Sequence, residues 1–376
     1  YFAIGSLSNF TSYPGHSVDN LFSKEVKEEL DIVYYSFAYP TETGEVSLNK
    51  GGSYSAIHSQ LMELRKNGTR VVLSIAGTSS QHCGYFNTIC GDSTTRRKFV
   101  KNLVDLIEQE GFDGVDIDWE SASSDNCVVA VKMNNLMKDL RSEMDSRVGN
   151  GTKYLLTCAI PATSWGAQTG RFDFATLDKY VDYVNMMSYD LNNEDYSTHV
   201  SPLYSSSNDK GYRFSADYGV TLFTTNGLSK NKIIIGTAAY GKSYKITATN
   251  VNNKYPGLGL SAQLCIISGV TGSHASGTIY YNGVLELFNN SKYTKYIEYN
   301  DNQKLVGTYL YNDQDKIFVA YEGEEIIKAK AEYAKLKAHY DNEDFRKELT
   351  NTMAHDLKTP LMAASGYAEN LLNGSN

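Results

Sequence analysis

The sequence predicts an α/β fold built on a parallel, barrel-forming sheet, and three observations lead there. Short apolar stretches alternate with helical ones along most of the chain, those stretches are apolar on both faces, and about seven such units fit into the length available. A strand that is apolar on both sides needs cover above and below, which crossover helices supply only in parallel sheets. In order, Asp31 to Ala38, Thr69 to Gly77, Phe112 to Glu120, Tyr154 to Pro161, Val181 to Tyr189 and Lys232 to Tyr240 read as strands. Between the second and third, Ser93 to Gln109 carries helical spacing through Phe99, Leu103, Leu106 and Ile107 and breaks at Gly111. In such a barrel the C-terminal ends of the strands carry the chemistry.

One of those ends is unlike the rest. Phe112-Asp-Gly-Val-Asp-Ile-Asp-Trp-Glu120 sets Asp116, Asp118 and Glu120 at alternate positions, so on a strand they share a face, with Val115, Ile117 and Trp119 on the other. Alternate residues lie about 7 Å apart. Three carboxylates that close in a buried place repel, so at least one proton is retained, which makes a general acid available. That titration belongs to the cluster rather than to one residue. Two other readings compete: a half-exposed strand whose acids meet water, and a hard-cation site, although magnesium sites usually draw their ligands from separate elements.

The segment Asp113-Gly-Val-Asp-Ile-Asp-Trp-Glu120 closely resembles the active-site strand of glycoside hydrolase family 18, the chitinases and their relatives. Further matches fall in order: Tyr35-Ser-Phe-Ala38 resembles the second strand, Leu73-Ser-Ile-Ala-Gly77 the third, Met187-Ser-Tyr-Asp190 the sixth and Tyr240-Gly241 the seventh. The resemblance covers residues 1–338, with a small α+β insertion at about 243–310 that favours the chitinase branch. It implies a (β/α)8 TIM-type barrel and substrate-assisted, retaining hydrolysis of chitin or chito-oligosaccharides, with no metal and no cofactor. In that scheme Glu120 protonates the leaving oxygen and later activates water. Asp118 orients the acetamido nitrogen, Asp116 shares a proton with Asp118, and Tyr189 bonds the acetamido carbonyl. Asp190, Met187, Tyr240 and Phe37 are implied to contact sugar, and Asp113 and Gly114 to be structural. Two departures stand out: Ala76 replaces the first glycine of Ser-x-Gly-Gly, and Lys242 stands where arginine is usual.

After Lys337 the family pattern expects an eighth strand of the Gly-Gly-x-Met-x-Trp kind. The only tryptophans are Trp119 and Trp165, and 338–346 is too polar for a barrel strand, so the barrel is expected to lack its eighth strand. Instead, His355-Asp-Leu-Lys-Thr-Pro360 and Gly366 to Leu371 resemble the phosphoacceptor helix of sensor histidine kinases. His355 would be the phosphoacceptor, and Leu349, Met353, Leu357 and Leu361 an apolar stripe suited to helix-mediated dimerisation. Residues 339–376 are thus read as a separate helical fragment. Its junction near His339 has no Gly/Ser/Pro-rich spacer, as expected of two pieces joined unnaturally.

Composition sets wider bounds. A formal charge of -8 argues against nucleic-acid binding, and the 29 tyrosines offer flat rings with polar tips for stacking on sugars. No hydrophobic run is long enough to span a bilayer, and a start at Tyr1 reads as a mature product or an excised piece. Of the five cysteines, Cys83 and Cys90 are spaced to bridge one loop. Sequons at Asn9, Asn67, Asn150 and Asn289 would permit glycosylation. The hydrolase resemblance implies secretion, whereas the tail implies the cytoplasm. Functions of other classes also remain open: a chitin-binding lectin that does not cleave, or a signalling fragment acting through His355.

Overall fold

The structure, a computed structural model, describes residues 2–4, 18, 23–48, 50, 54–77, 79–120, 130–147, 153–163, 171–208, 214–248 and 254–339. Two sheets organise them. The first contains β1 (Phe2–Ile4), β2 (Ile32–Pro40), β4 (Arg70–Ala76), β5 (Gly114–Asp118), β6 (Leu155–Pro161), β7 (Tyr183–Met187) and β8 (Ile233–Ile235), all parallel and in that spatial order. The short β3 (Val46–Ser47) pairs antiparallel with the end of β2. Helices α1 (Lys24–Glu28), α2 (Tyr54–Lys66), α3 (Ser80–Gly91), α4 (Ser93–Glu110), α5 (Ala130–Ser146), α6 (Phe174–Leu177) and α7 (Ala216–Thr225) lie between successive strands. Among the described residues the sheet has seven parallel strands, and β1 and β8 do not pair with each other, so it is a barrel-type sheet that does not close.

Period-two alternation divides each strand between two environments. Val71, Leu73 and Ile75 of β4, Val115 and Ile117 of β5, Leu156, Cys158 and Ile160 of β6 and Val184 and Met186 of β7 point outward into the main core. There they meet Leu61, Phe86, Phe99, Leu103, Ile107 and Leu136 of the helices. On the inner side, Ile32, Tyr34 and Val72 form a small apolar floor with Leu155 and Tyr183. Above it the inner positions turn polar, and that change positions the site.

The second sheet is antiparallel, in the order β10 (Ala262–Leu264), β9 (Tyr240–Ile246), β14 (Ile317–Tyr321), β13 (Leu305–Asn312) and β12 (Thr294–Tyr299), with β11 (Thr278–Tyr280) also on β9. The helix α8 (Tyr281–Phe288) packs on it, and α9 (Glu324–His339) returns to the first sheet beside β8. The core of this sheet is aromatic, with Tyr309 stacked between Tyr296 and Phe318. Its strands run from 240 to 321, wider than the insertion read from sequence. Lys232 to Tyr240 is therefore two pieces: Ile233–Ile235 joins the parallel sheet, whereas Tyr240-Gly241 opens the second one instead of ending a seventh barrel strand. Residues 236–239 between them belong to neither sheet.

The expected loop bridge is also corrected. Cys83 is disulfide-bonded but Cys90 is free and buried, so the two do not pair with each other. The residues read as a phosphoacceptor helix, 340–376 with His355, lie outside the described residues, as do Trp165, Asn9 and Asn150. No described helix is long and apolar enough to cross a membrane.

Candidate active site

The acidic strand β5 sits at the centre of the parallel sheet, between β4 and β6. Its start is held structurally. The Asp113 carboxylate accepts from Arg65 Nε at 2.8 Å and from the Val71 amide at 2.9 Å, tying β5 to α2 and β4. Gly114 has no space for a side chain, because a Cβ there would lie 2.2 Å from the Leu155 carbonyl oxygen on β6. Trp119 is fully buried, stacked on Phe86 with its Nε1 donating to Cys83 Sγ at 3.2 Å. With Val115, Ile117 and Trp119 anchored outward, Asp116 and Asp118 must face inward, and both are buried. The reading in which these acids merely meet water is excluded.

Asp116 lies in a cradle of hydroxyl and amide donors. Ser74 Oγ donates to Oδ2 at 2.7 Å, while Thr157 Oγ1 at 2.6 Å and Asn185 Nδ2 at 3.0 Å donate to Oδ1. Ser74 and Thr157 stand directly opposite Asp116 in the registers of β4 and β6. Burial still raises the Asp116 pKa above its ordinary value, with the three hydrogen bonds opposing. Asp118 is raised well above the ordinary range, by burial first and then by the charges of Glu120 and Asp116. Its buried Oδ1 has no hydrogen-bond partner.

Glu120, half-buried one residue past Trp119, also has a raised pKa. Burial is the main cause, the hydrogen bond from Asp118 opposes it, and the charge of Asp190 adds to it. A carboxyl with a raised pKa that also remains reachable has the two properties a general acid needs.

The other sequence candidates surround the same strand ends. Met187 closes β7, half-buried and in register with Pro161. Tyr189 follows it, and its hydroxyl pKa is raised by burial and by the charges of Asp118, Glu120, Asp190 and Asp116, which keeps it a donor. Asp190 has φ of 52°, a left-handed conformation that few residues except glycine, asparagine and aspartate adopt, and after burial its charge is the next cause that raises the Tyr240 hydroxyl pKa. Phe37 stands where the register between β2 and β4 slips, between Ser36 and Ala38, and is half-buried. Ala76 pairs in register with Asp118, and Lys242 Nζ donates to Thr278 Oγ1 at 3.0 Å within the second sheet.

The sequence reading missed the cradle itself. Ser74, Thr157 and Asn185 are single polar residues inside otherwise apolar strands, Val-Val-Leu-Ser-Ile-Ala, Leu-Leu-Thr-Cys-Ala-Ile and Val-Asn-Met-Met. A buried polar residue in such a strand needs a partner, and three of them on strands of the same sheet point to a common acceptor.

The sequence signature described as Glycosyl hydrolases family 18 matches residues 8–340. The chain belongs to this family. Among curated relatives, Chitinase 1 of Aphanocladium album is 30% identical over 222 residues, 57% of this chain and 50% of that protein. Endochitinase 1 of Metarhizium robertsii is 27% identical over 307 residues, 80% of this chain and 66% of that protein. Chitotriosidase-1 of Mus musculus is 26% identical over 341 residues, 88% of this chain and 69% of that protein. The chain thus spans from half to about two thirds of the length of these relatives. Among solved structures, the immunomodulatory active chitinase TsES1 from Trichuris suis has a TM-score of 0.73 at 22% identity, covering 89% of this chain and 88% of that one. Ostrinia furnacalis Group IV chitinase in complex with allosamidin has a TM-score of 0.71 at 20% identity, with the same coverage. These likenesses establish the family 18 fold, and the acidic strand of this member occupies the C-terminal end where a parallel barrel carries its chemistry.

Proposed function

We propose that this family 18 chain is a chitinase-type glycoside hydrolase that cleaves β-1,4-linked N-acetylglucosamine polymers with Glu120 as acid and base. The observation that carries this is the run of Asp116, Asp118 and Glu120 at the end of β5, the first two buried on the strand and all three carboxyls raised above their ordinary values. Support comes also from the names of the relatives, chitinase, endochitinase and chitotriosidase, and from a neighbouring structure of YKL-39 solved in the presence of chitooligosaccharides.

In this reading Glu120 gives its proton to the leaving glycosidic oxygen. The N-acetyl oxygen of the sugar attacks the anomeric carbon, so that no enzyme carboxylate becomes covalently attached, and the configuration is retained after water reopens the ring. Asp118 turns from Glu120 to the acetamido N–H and offsets the charge that develops there, while Asp116, already saturated with donors, stays in place as a fixed anion beneath it. The Tyr189 hydroxyl donates to the acetamido carbonyl. Asp190 and Tyr240 hold the distorted ring, Met187 forms its apolar floor and Phe37 lines the cleft.

Action outside the cell fits the disulfide-bonded Cys83, since such bonds persist in oxidising compartments. A purely lectin-like role leaves the paired acids unexplained, and a phosphoacceptor role for His355 gains nothing from a family match that ends at residue 340.

The test is release of a fluorophore from chitobiose and chitotriose glycosides. Glu120→Gln is expected to lower kcat by at least about a hundredfold with an unchanged melting curve. Product formation that is indifferent to Glu120→Gln would defeat the proposal.

A further inference from the structure

Beneath the proposed sugar site lies a buried polar cluster that the reaction itself does not use. Lys330 on α9 and Glu322, just past β14, form an ion pair at 2% and 1% exposure. The Lys330 ammonium also donates to Ser201 Oγ at 2.6 Å and to the Gly236 carbonyl at 3.1 Å. Glu322 accepts from the backbone amide of Ala238. Ser201 Oγ donates in turn to the Ser188 carbonyl at 2.5 Å, and Ser188 Oγ donates to Gly236 at 2.8 Å.

Every backbone position in this cluster adjoins a residue of the site. Ser188 sits between Met187 and Tyr189, and Ala238 lies two residues before Tyr240. Gly236 lies against the Tyr189 ring so closely that a Cβ there would be 2.6 Å from Tyr189 Cε1 and 2.7 Å from the Met186 carbonyl oxygen. The ring of Tyr189 therefore rests on backbone whose carbonyl is held by Lys330 and Ser188. Burying two charges is costly, and apolar replacements of similar volume often serve stability as well or better, so stability alone is a weak account of this pair.

We infer that Glu322 and Lys330 are positioning residues: through Ser188, Gly236 and Ala238 they fix where Tyr189 and Tyr240 present their hydroxyls to the sugar. This rests on the hydrolase reading above. Neither residue touches substrate, and their effect falls on the chemical step, because Tyr189 must meet the acetamido group as it attacks.

The experiment uses the Glu322→Gln, Lys330→Met double variant, which removes both charges and keeps an acceptor for Ala238. Against wild type on a chitotriose glycoside, kcat should fall at least tenfold while KM stays within threefold, with a cooperative melt in both proteins. A folded double variant with wild-type kcat overturns the inference. Ser201→Ala, which cuts only the link from Lys330 to Ser188, covers the case in which the double variant does not fold: kcat about threefold lower supports the inference and an unchanged kcat overturns it. Should the wild type release no product, the hydrolase reading fails by itself. The inference is then read by calorimetry with a thiazoline analogue of the cyclised sugar, expected to bind the double variant about tenfold more weakly, with equal affinity overturning it.

Discussion

Two buried carboxylates, one in each sheet, have three or more donors each and are driven in opposite directions. In the parallel sheet, Asp116 accepts from Ser74, Thr157 and Asn185, and its pKa is raised. In the antiparallel sheet, Glu298 accepts from His199 at 2.7 Å and from Ser206 and Asn208 at 2.6 Å each. Burial pushes Glu298 upward too, but the hydrogen bond and charge of His199 and the bonds from Ser206 and Asn208 outweigh it, and the pKa is lowered. Hydrogen-bond number does not separate these sites. The surrounding charge does: a cation-capable imidazole faces Glu298, whereas Asp116 sits in a column with Asp118 and Glu120. One region neutralises its buried acid and gains rigidity, and the other concentrates like charge, which costs stability and makes a proton donor.

The largest effect that would sharpen this contrast is expected at Asp118→Asn. Removing the linking acid should lower kcat about a thousandfold and, by relieving repulsion, raise stability by about 1 kcal/mol at neutral pH. Parallel urea melts and steady-state assays read both, and a variant that is both active and less stable would break the contrast. Next comes Glu298→Ala, which strands a buried imidazole and should cost about 3 kcal/mol of stability while leaving kcat per folded molecule unchanged. Loss of kcat without loss of stability there would assign the second sheet a chemical role.

A smaller effect follows from linkage. The ordinary values are 3.8 for an aspartate and 4.5 for a glutamate. Because the folded pKa of Glu298 is lowered, its contribution is present above the ordinary glutamate value and is lost as pH falls through the folded one. The raised Asp116, Asp118 and Glu120 act oppositely. Their contribution is complete below the ordinary values and is lost as pH rises through the folded ones. Stability should therefore fall on both sides of a mildly acidic optimum, with Glu298→Gln flattening the acid limb only and Asp118→Asn the other only. Urea melts from pH 3 to 8 would show it. The smallest effect is expected at Ala76→Gly, which restores the family's usual residue beside Asp118: about 0.5 to 1 kcal/mol less stability and kcat within about threefold. A large gain in kcat would mean that the alanine methyl, not the charge column, limits the site.

Much of the barrel was legible because its strands are apolar on both faces and end at glycines or polar residues. The helix Ser93–Glu110 and the buried set Phe99, Leu103 and Ile107 follow the spacing that announces them. The acidic strand was legible for the same reason, since alternation forces Asp116 and Asp118 inward once Trp119 is buried. What was not legible depends on registers between distant segments. The partners of Asp116 come from three strands up to 69 residues away, and no local pattern says that Ser74 and Thr157 flank it. Likewise, Tyr240 looked like the end of a barrel strand because Ile233 to Tyr240 is largely apolar, whereas the parallel strand ends at Ile235 and Tyr240 begins the second sheet.

The most direct test of the charge column is infrared difference spectroscopy of the carboxylic C=O stretch near pH 7, comparing wild type with Asp118→Asn and Glu298→Gln. A protonated-carboxyl band present in wild type, lost in Asp118→Asn and retained in Glu298→Gln is the expected result. No such band in wild type, or a band that disappears only in Glu298→Gln, would contradict the assignment of a retained proton to the strand that ends in Glu120.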